Sequence, residues 1–262
     1  MTPLVVMVAP NGARRTKADH ANLPITPAEI AREAERCCAG GATILHVHVR
    51  DDNDRHSLDP NLYRAAIDAV RQRLGERMVV QVTTEAVGVY APEQQMATVR
   101  ALRPEAVSLA LRELIPDPAE PGPAAEFLRW LRRERTAPHF ILYTPEEVAA
   151  FQDLRRRGVI PQARPFALFV LGRYVDPVEV RPRDLLPFLA VHGDGDAAPW
   201  SVAPSARRRR PARSPPRRSA ATSGSASRTT STSATAASPR ATRRSSTRSA
   251  AARRCSAGRS RT

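Results

Sequence analysis

Acidic residues are missing from the end of this sequence. Between positions 201 and 262 there is no Asp or Glu, and no Leu, Ile, Met, Phe, Tyr or Trp; Val202 is the one branched aliphatic side chain. Such a segment cannot bury enough apolar surface to offset its chain entropy, so residues 203–262 read as an Arg/Ser/Ala-rich disordered tail. The same absence explains the formal charge of +15. Residues 201–262 hold 16 of the 41 basic residues, leaving 25 against 26 acidic ones in residues 1–200, which are near neutral. A nucleic-acid-binding surface is therefore not written into most of the chain. Cysteine is scarce: Cys37 and Cys38 are adjacent, Cys255 lies in the tail, and there is no C-x-x-C pair. Neighbouring cysteines rarely bridge each other, so reduced thiols and a cytoplasmic location are expected. No apolar run approaches membrane-spanning length. The first one, Leu4–Ala9, has neither a basic leader nor a small-residue cleavage site and reads as a strand. No glycine-rich phosphate loop follows a strand, which argues against a nucleotide-binding fold.

What remains in residues 1–202 is a regular alternation. Short apolar runs at Leu4–Ala9, Thr43–Val49, Met78–Val82, Ala106–Leu109, Phe140–Tyr143 and Phe166–Leu171 predict buried strands, and a seventh opens at Pro199–Val202. Amphipathic stretches between them predict helices. Thr26-Pro27-Ala28-Glu29 is a capping box with proline at the first helical turn, placing Ile25 and Ile30 as a staple, and the helix stops at Gly40-Gly41. Further helices are expected over Asp59–Leu74, Pro92–Leu102, Ala124–Arg135, from Thr144 to Arg157, and over Pro182–Leu189. Strand-then-helix order with buried strands requires parallel pairing and right-handed crossovers. Six or seven such units suit an incomplete (β/α)8 barrel better than a doubly wound sheet.

His46 and His48 are the sharpest chemical feature. Strand residues at i and i+2 share a face, and near the C-terminal end of a barrel strand that face lines the active-site mouth. Two neutral imidazoles one pleat apart can share Zn²⁺; a lone histidine would favour a satisfied core residue, whereas the H-x-H pair in an apolar strand leans toward metal, for which zinc needs a third protein ligand. Gln81-Val82-Thr83-Thr84-Glu85 ends one strand and Ser108 another; on spacing alone these read as polar strand caps. Asn11-Gly12-Ala13-Arg14 follows the first strand, with Gly12 suited to a tight turn and Arg14 free to reach an anionic ligand or solvent. Arg132-Arg133 and Arg155–Arg157 read as helix ends that favour the dipole. His20, His56, His139 and His192 have no spacing that argues for ligation.

Several segments in order resemble one family. Ala9-Pro10-Asn11-Gly12-Ala13, Leu23–Glu29, His46-Val47-His48-Val49-Arg50-Asp51, Gln81–Thr84, Ala86-Val87-Gly88 and Phe169-Val170-Leu171-Gly172 look like the β-keto acid cleavage enzymes, whose founding activity is 3-keto-5-aminohexanoate cleavage. The resemblance covers residues 1 to about 202. It implies a (β/α)8 barrel that uses Zn²⁺ and acetyl-CoA, converts a β-keto acid plus acetyl-CoA into acetoacetate and a new acyl-CoA, and assembles as a homo-oligomer when intact. It makes His46 and His48 metal ligands together with a Glu on the last barrel strand. Thr83 and Ser108 would hold the keto-acid end. The founding activity has an acidic residue where Arg14 stands, so Arg14 would disfavour a cationic substrate.

The family's last strand, Gly-Gly-His-Val-Arg-Val-Gly-Phe-Glu-Asn-Asn, has no counterpart in residues 203–262, which leaves the catalytic Glu and Arg without equivalents. Back-translation offers a reason. Gly224–Ser231 can be written GGG TCG GCT TCG AGA ACA ACC TCC, and the shifted frame of that string reads Val-Gly-Phe-Glu-Asn-Asn-Leu. The junctions from Ser219 to Gly224 permit Gly-Gly-His-Val-Arg, and the Glu straddles Ser227 and Arg228. The break falls near Ala203–Ser205. The tail then reads as out-of-frame translation and the chain as inactive in this form. Two alternatives stand beside it: a folded pseudoenzyme, and a protein whose basic tail binds nucleic acid nonspecifically.

Overall fold

A computed structural model of the chain describes residues 5–172, 180–193 and 198–204. Cys255, the Ser227–Arg228 junction and the rest of the tail from 205 onward lie outside the described residues.

The strands are β1 (Met7–Val8), β2 (Ile44–Val47), β5 (Val79–Thr83), β6 (Ala106–Ala110), β7 (Ala137–Leu142), β8 (Phe166–Leu171) and β9 (Trp200–Pro204). They form one sheet in the order β1-β2-β5-β6-β7-β8-β9, every pair parallel. The sheet curls into an incomplete barrel, with helices on the crossovers: α1 (Pro27–Ala39), α2 (Pro60–Leu74), α3 (Pro92–Leu102), α5 (Gly122–Glu134), α6 (Pro145–Arg156) and α7 (Leu186–His192), the last entered through a 3₁₀ turn at Pro182–Leu185. Among the described residues no helix is long and apolar enough to cross a membrane.

Local chemistry sets the element ends. Thr26 accepts from the Glu29 amide while Glu29 reaches back to the Thr26 amide, and Pro27 opens α1. Asp59 caps α2 through the Asn61 amide, and Thr144 caps α6 through that of Glu147.

The alternation within strands divides the core. Leu45, Val47, Val80, Val82, Val107, Leu109, Phe140, Leu142, Ala167 and Phe169 point outward against the helices, where Phe127, Leu128, Phe151 and Leu154 are fully buried. Ala110, Ile141, Tyr143 and Leu168, with Met7, Val170 and Ala203, form a separate cluster on the concave face. The concave face is thus apolar on one side, and His46, Gln81, Thr83, Ser108 and His139 supply its polar side.

Three features differ from the sequence reading. Among the described residues the first strand pairs over Met7–Val8, where Leu4–Ala9 was expected; Leu4 lies outside the described residues, and at the other end the ladder from β1 to β2 stops where Asn11 takes over. The second strand ends at Val47. Val49–Arg50 (β3) instead turns back against His56–Ser57 (β4) as a small antiparallel hairpin, closed by Asp51 accepting from the Asn53 and Arg55 amides. A one-turn helix, α4 (Leu111–Leu114), follows β6 directly.

Candidate functional site

The site assembles on the concave face of β2, β5, β6 and β7, from the mid-strand positions of Gln81, Ser108 and His139 to the C-terminal ends of β2 and β5, the end where parallel barrels carry chemistry. His46 is the third residue of β2, and His48 follows the strand's end. Their rings lie edge to face with centroids 5.0 Å apart and Nε2 atoms 3.1 Å apart, and both residues are buried. The i, i+2 spacing therefore brings the two imidazoles together on one face.

What holds them is a set of side-chain amides. Asn11 Nδ2 donates to the His48 carbonyl at 2.8 Å, and Asn11 Oδ1 accepts from the His48 amide at 3.3 Å. One side chain thereby replaces a strand partner where β1 has ended. Gln81 is fully buried, in register with His46 across β2 and β5. Its Oε1 lies 2.8 Å from His46 Nδ1. An amide oxygen only accepts, so with the amide in this orientation Nδ1 is the donor and Nε2 keeps its lone pair. Gln81 is not the polar strand cap that its spacing suggested. It sits mid-strand, as an amide between two histidines, with its Nε2 2.7 Å from His139 Nδ1 on β7.

A second layer flanks His48. The Glu85 carboxylate stands 4.0 Å from His48 Nδ1. His56 Nε2 donates to the Glu85 carbonyl at 2.9 Å, and its ring packs edgewise on His48 with centroids 5.3 Å apart. His56 and His139, which have no telling spacing in the sequence, come to the site through a hairpin and a distant strand. One pleat further along β5 from Gln81, Ser108 Oγ donates to Thr83 Oγ1 at 3.3 Å; both residues are buried and paired in register across β5 and β6.

The β1–α1 loop carries Arg14, which is exposed. The loop is organised by Arg50, a buried guanidinium that donates to the carbonyls of Gly12 and Ala13 and, at 3.2 Å, of Arg15. Gly12 has φ +65°, a left-handed conformation in which an L side chain would be strained, and that turn aims its carbonyl at Arg50.

Burial disfavours the charged form of His46, His56 and His139. It pushes His46 below the ordinary imidazole value against the opposing hydrogen bond from Gln81, lowers His56, and takes His139 down to about 4, assisted by the nearby His46. The unfolded chain then binds protons that the folded one refuses between about pH 4 and 6.5, so stability is complete above that window and is lost as pH falls through it. His139 alone contributes about 3 kcal/mol across it, at about 1.4 kcal/mol per unit. Urea midpoints measured from pH 4.5 to 7.5 should rise with pH, and His139→Asn should flatten the slope; a flat parent profile would contradict buried neutral imidazoles.

The His46 and His48 Nε2 atoms are spaced much as two donors on tetrahedral Zn²⁺ would be, about 3.3 Å for bonds of about 2.0–2.1 Å. His46 also has the tautomer a ligand needs. Among the described residues no group of three or more His, Cys, Asp or Glu is arranged to hold a metal ion, so two donors fit there and no third described residue joins them.

These residues fall inside a match to known proteins. The sequence fits the profile described as beta-keto acid cleavage enzyme over residues 3–224. It is 36% identical over 109 residues to the 3-keto-5-aminohexanoate cleavage enzyme of Fusobacterium nucleatum, covering 42% of this chain and 39% of that protein. It is 29% identical over 108 residues to the 3-oxoadipate:acetyl-CoA acetyltransferase of Cupriavidus necator, covering 41% and 37%. The aligned stretches thus span well under half the length of these curated relatives. Among solved structures, the type I 3-dehydroquinate dehydratase of Clostridium difficile aligns with 76% of this chain and 74% of its own at a TM-score of 0.49 and 10% identity. With the profile matched across most of its length, this chain belongs to the β-keto acid cleavage enzyme family.

Proposed function

We propose that this chain derives from a zinc-dependent enzyme that converts a β-keto acid and acetyl-CoA into acetoacetate and the corresponding acyl-CoA, and that the form with the Arg/Ser-rich tail is inactive. The observation that carries the reading is the pair of imidazole Nε2 atoms 3.1 Å apart, at the catalytic end of the barrel in a chain of this family. His46 and His48 would hold the metal, which when bound supplies a Lewis acid for the keto group of the substrate. Thr83 and Ser108 place two hydroxyls together on the concave face, suited to hydrogen-bonding the keto-acid end. Asn11 and Gln81 fix the imidazoles so that binding costs little reorganisation. The third donor is the Glu whose codon straddles Ser227 and Arg228 in the shifted frame. Without it only two protein ligands remain, fewer than the three of catalytic zinc sites.

Arg14 sets the substrate class. Its loop is braced from beneath by Arg50, and its charge favours an anionic or neutral β-keto acid over a cationic one. The name of the Cupriavidus relative carries such an acid, 3-oxoadipate, a β-keto dicarboxylate. An arginine–carboxylate contact is worth about 1.5–3 kcal/mol where water is excluded. The test is kcat/KM of the frame-corrected enzyme for 3-oxoadipate and for 3-keto-5-aminohexanoate. The dicarboxylate should be preferred, and Arg14→Glu should shift the ratio by roughly 10- to 150-fold toward the amino substrate. Preference for the amino substrate in the parent would overturn the assignment.

A further inference from the structure

The hydrogen-bond chain behind His46 extends one residue further than metal binding requires. His46 Nδ1, Gln81 Oε1, Gln81 Nε2 and His139 Nδ1 run in sequence at 2.8 and 2.7 Å across three strands, with Gln81 fully buried between the two rings. A primary amide is directional: one end only accepts and the other only donates. If its oxygen faces His46, its nitrogen faces His139, and His139 must then offer a lone pair at Nδ1 and carry its proton on Nε2. If the amide turns over, the pattern inverts: His139 donates from Nδ1, and Gln81 donates to His46 Nδ1. The proton of His46 then moves to Nε2, the atom that faces His48 at 3.1 Å. The two orientations of one amide are therefore two states of the site. In one, the His46 lone pair points at the shared position; in the other, an N–H blocks it.

We propose that His139 is a positioning residue for the metal site, acting through Gln81: its Nδ1 acceptor holds the Gln81 amide in the orientation that keeps His46 in the Nδ1–H tautomer. Three further observations support this. His139 stacks on Phe166 with ring centroids 4.1 Å apart and a 25° interplanar angle, which restrains rotation of its ring. Its backbone is paired on both sides, to Ser108 on β6 and Phe166 on β8, so the acceptor is placed by the sheet rather than by a loop. Its burial holds it neutral, which leaves Nδ1 able to accept.

This inference rests on the reading of His46 and His48 as metal ligands, and its test separates the two. In the metal-free full chain labelled with ¹⁵N-histidine, nitrogen shifts near neutral pH should show His46 protonated at Nδ1 and His139 at Nε2. In His139→Phe, which keeps a ring against Phe166 but removes the acceptor, His46 should become a mixture of tautomers while the melting temperature stays close to that of the parent. His139→Asn, which can restore an acceptor oxygen near the Nδ1 position, should return the single tautomer. Zn²⁺ added alone, in competition with a chelator, should bind about tenfold more weakly to His139→Phe than to the parent and recover in His139→Asn. A parent with His46 protonated at Nε2, or a His139→Phe protein with unchanged His46 tautomer, overturns the proposal. If His46→Ala leaves Zn²⁺ binding unchanged, the metal assignment is wrong, and the tautomer measurements still decide the role of His139.

Discussion

Correcting the frame by one base between codons 203 and 205 is expected to turn a chain with no measurable acetoacetate formation into a zinc enzyme. The gain should be roughly a thousandfold or more, because a Lewis-acid metal supplies several kcal/mol of transition-state stabilisation and each 1.4 kcal/mol is about tenfold in rate. The described residues bring the Nε2 atoms of two histidines to 3.1 Å of each other, and no third His, Cys, Asp or Glu joins them in a metal-binding group. A back-translation of Gly224–Ser231 permits a shifted frame with a Glu across Ser227–Arg228, in a string that resembles the family's last strand. The corrected protein should hold about one zinc per chain by elemental analysis, and the chain as it stands substantially less. Replacing the restored Glu by Ala should remove both zinc and activity. Stoichiometric zinc and turnover in the uncorrected chain would overturn the frame argument and make the Arg-rich tail a functional segment in its own right.

Phe140→Ala should cost about 3–5 kcal/mol, the usual penalty for emptying a large buried aromatic site. That is a large share of a stability of about 5–15 kcal/mol. Phe140 is fully buried on the outward face of β7, with its ring centroid 5.2 Å from that of Phe151 on α6. Its neighbour His139 faces the concave side from the same strand. The two positions should therefore separate cleanly. Phe140→Ala should lower the urea midpoint steeply and leave the His46 tautomer as it was in whatever fraction stays folded. His139→Phe should do the reverse. A loss below about 1 kcal/mol at Phe140 would mean that the helix layer does not close over β7.

The architecture was legible because its signals are local. Continuous apolar runs mark strands buried on both faces, and caps such as Thr26 with Glu29 and Thr144 with Glu147 mark where helices begin; both depend on residues within one turn of each other. The boundaries slipped where a partner came from far away. β1 stops at Val8 since the Asn11 side chain, rather than backbone, pairs with His48. Val49–Arg50 leaves the barrel strand for a hairpin that no turn motif announced.

At the site, the two-residue spacing of His46 and His48 already pointed to one shared face, and the Asn11 side chain extends that pairing past the end of the strand. Sequence alone determined the composition break near residue 203 and, through motif order, the family. Only the tertiary structure decided that Gln81 is a bridge and not a cap, that His139 stands behind it, and that Arg50 braces the loop bearing Arg14 from 35 or more positions away in the chain. A hydrogen bond between strands depends on register, and register is set by how every strand packs on its neighbours. No spacing within one segment encodes it, so residues 58 positions apart, such as Gln81 and His139, become partners only once the sheet has formed.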